Sequence, residues 1–285
     1  MAAIGYRRGM TASWPERASL STFAALGDDD RLALARRLAA ALGDCTAHPH
    51  LIGTARLAAV RHDATGVVLV AIPGGTFTMG LRDDEHDEVR RVVFGADPAQ
   101  RFAAQLGAYL VPRATPAHPV AVAPFLCATG FVDLDGRALD PDGGDEDPWL
   151  EDDDAAALAE TLAGHGLRLL SEAEWEWVAT EGGPRRWLVD VTGKHGLGLD
   201  ADDAPANAWG IARLKSHHGE LVADAWHDDY GGAPADARAW DAGPVPGVHR
   251  GSNGGWQDDA EALGCHVAFR AGGTGGPIRP ARDLP

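Results

Sequence analysis

The side chains best suited to chemistry in this 285-residue chain are its histidines, a run of glutamates and three cysteines. His217, His227 and His266 all fall in the C-terminal part. Joined by a carboxylate such as Asp224, they could hold Fe(II), because ferrous sites combine two or three imidazoles with an oxygen donor. Their spacing follows no established ligand pattern, so structural hydrogen bonding stands as the alternative for each. Glu172, Glu174 and Glu176 offer paired carboxylates for acid–base work. The competing reading, a helix-capping box with ion pairs, is the one favoured here. Cys45, Cys127 and Cys265 cannot all pair and match no zinc or redox spacing, which points to a reducing compartment. No nucleophile elbow or phosphate loop is present. Gly272–Gly276 has no following helix to bind phosphate and reads as a mobile terminal loop.

Charge narrows the partners. The formal net charge is −17, a field that repels phosphate backbones and anionic lipid, and no local basic stripe offsets it. Nucleic acid and membranes are therefore not expected, leaving an unidentified protein or small-molecule ligand. Hydrophobic residues make up 45% and charged residues 24%, which excludes a wholly disordered chain. Eleven acids between Asp133 and Asp154, mixed with Gly and Pro, read as a solvated loop. No apolar run approaches the roughly 18–20 residues of a membrane span, and the first twenty residues lack an apolar signal-peptide core. A soluble cytoplasmic protein is expected.

These candidate groups need elements to position them. Asp28–Asp30 lead into leucines at helical spacing, and Gly43 ends an amphipathic helix expected to pack on the main domain. Val67–Ile72 reads as a buried strand stopped by Pro73-Gly74-Gly75, with Thr76–Met79 as a second. A helix is expected near Ala99–Leu110, a strand over 118–125, and a helix over Asp152–Leu162. Leu167–Leu170 is extended. Ser171 then caps a helix, with Glu174 three residues on as the capping-box partner, and Trp175, Val178 and Ala179 share one face. Beyond residue 170 short apolar pieces alternate with turns and tryptophans, an irregular lobe with an aromatic core. Residues 1–66 form an arm and helix, residues 67–285 the main domain, and the class is α+β.

Seven segments occur in one order: IPGGTFTMG (72–80), HPVAVAPF (118–125), RLLSEAEWEWVA (168–179), ANAWGI (206–211), ADAWHDDY (223–230), VHRGS (248–252) and CHVAFR (265–270). Together they resemble the formylglycine-generating enzyme, or sulfatase-modifying factor, family. Its relatives include the C-terminal domain of ergothioneine sulfoxide synthases and a pyoverdine-maturation oxidase. The resemblance spans roughly residues 67–285. It implies an irregular, loop-rich variant of the C-type lectin fold, here with a short helical N-terminal extension. Ser171, Glu174, Trp175, Asn207, Trp209, Arg250 and Cys265 take structural places in that pattern.

The chain also departs from the family. The resemblance places the family's two copper-binding cysteines on or near Gln257 and Ala262, so copper is not expected. In the calcium loop the family's Asp has become Arg213 and an Asn has become His217. The resemblance therefore implies a lost calcium site, with Arg213 standing in for the ion beside Glu220. Family members commonly close on an L-G-F-R strand, whereas this chain reads ARDLP, so that strand is missing or replaced. The expected function is a catalytically silent, ligand- or protein-binding member that uses a C-terminal face containing Trp240, Asn253, Trp256, Gln257 and Asp258. The alternative is an oxygen-dependent iron oxidase with a site built from His217, His227, His266 and Asp224.

Overall fold

The computed structural model describes residues 19–94, 110–133, 135–139, 152–190, 205–215, 219–241, 247–251, 261–273 and 275–285. Two helices open it, α1 (Leu20–Ala24) and α2 (Asp28–Leu42). Three acids in the first turn of α2 favour its positive N-terminal end, and Gly43 at φ +79° closes it in the left-handed conformation. Leu34 and Leu38 bury one face of α2 against β1 (Cys45–Ala47) and β2 (Ala59–His62). These strands extend the same sheet as β3 (Val68–Ile72), so the first 66 residues contribute sheet as well as helix.

After β3 come β4 (Gly75–Met79), α3 (His86–Phe94), β5 (His118–Val122) and β6 (Phe125–Ala128). Next are α4 (Asp152–Gly164), β7 (Arg168–Leu169), α5 (Glu172–Ala179) and β8 (Glu220–Ala225). The chain finishes with β9 (Gly247–Arg250), α6 (Glu261–Gly264), β10 (Arg270–Gly273) and β11 (Pro280–Asp283). The main sheet runs β1-β2-β3-β6-β11-β7 and is antiparallel throughout; β10-β9-β8 and β4-β5 form two smaller antiparallel sheets. This is a mixed α+β, loop-rich fold. The helix expected near Ala99–Leu110 lies outside the described residues apart from its last position.

Two expectations change. Gly272 and Gly273 belong to β10 rather than to a mobile loop, and both serve close packing. A methyl group on Gly272 would stand 3.0 Å from the Trp226 ring, and one on Gly273 3.0 Å from His249. In place of L-G-F-R, Pro280–Asp283 forms a strand inserted between β6 and β7.

The helix α5 sits at the centre of the lobe. The Ser171 hydroxyl accepts from the Glu174 amide at 3.1 Å, and the Glu174 carboxylate accepts from the Ser171 amide at 2.9 Å. The sequence suggested one apolar face for this helix, but all eight of its residues are buried. Trp177 packs against Gly75 so tightly that a β-carbon there would fall 2.6 Å from the indole, while its Nε1 donates to the Pro73 carbonyl at 2.8 Å. A helix enclosed on every side must give its charged side chains partners, and that requirement organises the site.

Candidate functional site

Strands β9 and β10 place Arg250 and Arg270 directly opposite one another, both fully buried. Like charges in that register repel, and two glutamates of α5 resolve the conflict. Glu172 accepts from Arg250 Nη1 at 2.7 Å, from Arg270 Nη2 at 2.9 Å and from the Tyr230 hydroxyl at 2.9 Å. Glu176 accepts from Arg250 Nη2 at 2.6 Å and from the Gly80 amide at 2.9 Å. Burial alone would raise the Glu172 carboxyl, but Arg270 and Arg250 outweigh it and hold it below the usual carboxylate range. Burial and the Glu172 charge push the Tyr230 phenol well up. Arg186 extends the network by bonding Glu85 and the Gly80 carbonyl. Glu172 and Glu176 thus serve as counter-charges in a locked platform.

Strand alternation puts Glu220, Val222 and Asp224 of β8 on one buried face. The Asp224 carboxylate accepts from the Glu172 amide at 2.6 Å and from the Trp240 amide at 2.8 Å. It thereby ties the start of α5 to the loop carrying Trp240. Burial and the neighbouring Glu172 charge push its carboxyl up to about 7. Trp240 stacks on His227 with ring centroids 3.7 Å apart and planes 7° apart. His227 Nε2 lies 3.6 Å from the Asp241 carboxylate, and Asp241 itself holds a left-handed φ of +47°. Next along the chain, Trp226 lies under the guanidinium of Arg270 at 4.7 Å and that of Arg113 at 5.4 Å, and its Nε1 donates to Asp228 at 3.1 Å. Trp226, His227 and Trp240 are all half-buried. They form an aromatic ledge standing on the buried charge platform.

The sequence-derived metal candidates are dispersed. His227 belongs to this ledge, whereas His266 is fully buried and meets Trp187 edge-on at 4.9 Å. Its Nδ1 accepts from the Ala268 amide at 3.3 Å, and burial together with Arg186 pushes it down to about 3, so it is held neutral. Asp224 is occupied by two backbone amides. Among the described residues no three of His, Cys, Asp or Glu converge in a metal-binding arrangement. His217, Asn253, Trp256, Gln257 and Asp258 lie outside the described residues.

Cys45, Cys127 and Cys265 are buried and unpaired with one another. Burial, reinforced at Cys45 by Asp44, pushes the Cys45 thiol up to about 12, and burial does the same for Cys127. Thiols so held are poor nucleophiles.

In the loop that starts at Asn207, its Oδ1 accepts from the amides of Trp209 and Ile211 at 3.1 and 3.0 Å, while its Nδ2 donates to the Val178 carbonyl at 2.9 Å. Trp209 is buried edge-on to Trp177. The Glu220 carboxylate accepts from the Arg279 guanidinium at 2.7 and 3.0 Å. Arg279 also donates to the carbonyls of Ala212 at 2.7 Å and Ala128 at 3.3 Å. It leads into β11 and so reaches Glu220 from within the core; Arg213 occupies a left-handed turn at φ +56°. Sequence reasoning missed Arg270, Arg279 and Tyr230. The available signal was an arginine embedded in each of two otherwise apolar segments, VAFR and PIRPA.

No protein-family model and no curated protein matches the sequence. Among solved structures, PvdO from Pseudomonas aeruginosa superposes with a TM-score of 0.55 at 23% identity, covering 79% of this chain and 98% of that one. Treponema denticola variable protein 1 aligns with a TM-score of 0.44 at 15% identity, covering 77% of this chain and 96% of that one. The first likeness shows a shared fold. No helix among the described residues is long and apolar enough to cross a membrane.

Proposed function

We propose that this chain is a formylglycine-generating-enzyme-like protein, of the family's C-type-lectin-related fold, that binds a ligand or partner protein and carries out no oxidation of its own. Support for the family comes from the seven ordered segments together with the fold shared with PvdO. The binding reading rests on one observation: the carboxylates beneath the ledge are taken up by protein groups, Glu172 and Glu176 by arginines and Asp224 by amides, while the half-buried Trp226, His227 and Trp240 stay at the surface. Rings in that position supply apolar contact area, and Asp228 and Asp241 supply acceptors at its margin. Asn253, Trp256, Gln257 and Asp258 are proposed as ligand-binding residues from the sequence alone.

Indole NMR tests this reading. Titrating a panel of methyl glycosides, aromatic amino acids and short peptides should shift the Trp226 and Trp240 indole resonances and leave the buried Trp175 and Trp177 in place. A panel that moves neither ledge resonance contradicts binding there. Oxygen consumption supported by a stoichiometric iron ion would establish the oxidase instead.

A further inference from the structure

The outer edges of the smaller sheets are treated differently. On β8 the amides of Leu221, Ala223 and Ala225 donate to the carbonyls of Pro277, Leu170 and Trp240 at 3.0, 2.8 and 3.1 Å, so that edge is covered. On β5 the Ala121 amide donates to the Ala235 carbonyl at 2.9 Å, and the Ala121 carbonyl accepts from the Ala237 amide at 3.1 Å. Strand β10 ends the β10-β9-β8 sheet on its other side, paired with β9. Among the described residues, no hydrogen bond beyond that ladder reaches Ala271, Gly272 or Gly273. Gly272 is exposed, and its two neighbours are half-buried.

Every second residue of an edge strand directs its N–H and C=O away from the sheet, and such a row is a template for another strand. Proteins blunt edges with proline, lysine or a bulge. Strand β10 has none of these, and its register with β9 is regular over all four residues. The Trp226 ring lies against this strand at Gly272, where an added methyl group would stand 3.0 Å away. The edge therefore runs directly beside the aromatic ledge.

We propose that β10 accepts an extended segment of a partner protein as a further strand, with an aromatic or β-branched side chain of that segment beside Trp226. An added strand lies about 4.7–4.9 Å from its neighbour. Its residue opposite Gly272 projects to the Trp226 face, because cross-strand partners share a face. Main-chain bonds then supply affinity and the ring supplies selectivity. The pairing rests on the strand alone, whereas the choice of side chain rests on reading the ledge as a binding face.

Amide hydrogen exchange followed by NMR tests this on the wild-type chain, with the peptide acetyl-Lys-Thr-Val-Tyr-Val-Thr-Lys-amide as the probe. In the free chain, alternate amides of β10 should exchange without protection. At about ten times its Kd the peptide should slow them about tenfold and shift the Trp226 indole resonance. Methylating one alternate set of peptide nitrogens, either the two valines or the tyrosine with both threonines, should weaken binding by about tenfold in Kd. Methylating the other set should leave it unchanged. All β10 amides already protected in the free chain, or no added protection at millimolar peptide, overturns the proposal; in the second case a shifted Trp226 still upholds the ledge. Protection of β10 with Trp226 and Trp240 unmoved upholds the added strand and contradicts the ledge reading.

Discussion

Around β3 and β6 the core is chiefly aliphatic: Leu69, Val70, Ile72 and Leu126 are buried in adjoining strands. Around α5 it is ionic and aromatic, with Arg250, Arg270, Glu172 and Glu176 buried beside Trp175, Trp177 and Tyr230. The two regions resist change for different reasons. An aliphatic core loses contacts in proportion to the volume removed. A paired ionic core fails when one charge is left without its partner. The second kind carries the ledge, since Arg270 lies against the Trp226 ring and Asp224 bonds the Trp240 amide.

The comparison breaks most visibly at Arg250. Arg250→Met leaves Glu172 and Glu176 buried with one guanidinium fewer and should cost about 3–5 kcal/mol in urea unfolding. Leu69→Ala in the aliphatic sheet should cost about 2–5 kcal/mol while leaving the ledge's NMR signals in place, whereas Arg250→Met should shift them. A milder effect at Arg250 than at Leu69, with the ledge unmoved, would mean the ionic region is not a locked unit.

Acid should separate the groups of the ionic region by sign. His266, held near 3, resists the proton that an unfolded histidine takes up near 6.5, so its contribution falls as pH drops through that interval. Between pH 7 and 5 the stability of the wild type relative to His266→Asn should therefore decline by about 2 kcal/mol. Asp224, raised to about 7, binds a proton before the unfolded chain does, so the wild type should gain on Asp224→Asn as pH falls from 7 toward 4. Urea titrations at several pH values read both slopes, and slopes of the same sign would contradict the assignment.

Smaller effects sharpen the picture. Ser171→Ala removes the hydroxyl that caps α5 and should cost about 1 kcal/mol in thermal or urea unfolding. Asp28→Asn removes the partner of Arg56 in an exposed pair and should leave the unfolding midpoint unchanged within error.

Local patterns were legible in the sequence where neighbouring residues fix the outcome. The Ser171–Glu174 capping box needs only four consecutive positions, and the apolar run ending at Ile72 needs only its own composition to become an inner strand. What stayed hidden depends on distant partners. Glu172 meets Arg250 and Arg270 across 78 and 98 positions, and Glu220 meets Arg279 across 59. Strand register brings those arginines inside, and register is a property of the assembled sheet. The glycines of β10 misled for a related reason: their value lies in the rings of Trp226 and His249 that approach them, which the local sequence does not display.

The central claim, the proposed binding role on a fold shared with PvdO, is tested most directly by metal stoichiometry. Protein purified without chelators and then reconstituted anaerobically with Fe(II) and with Cu(I) should retain neither metal at stoichiometric level after desalting, as read by elemental analysis. One iron or copper per chain, lost in a folded His227→Ala variant, would contradict the account and make the ledge histidine a metal ligand.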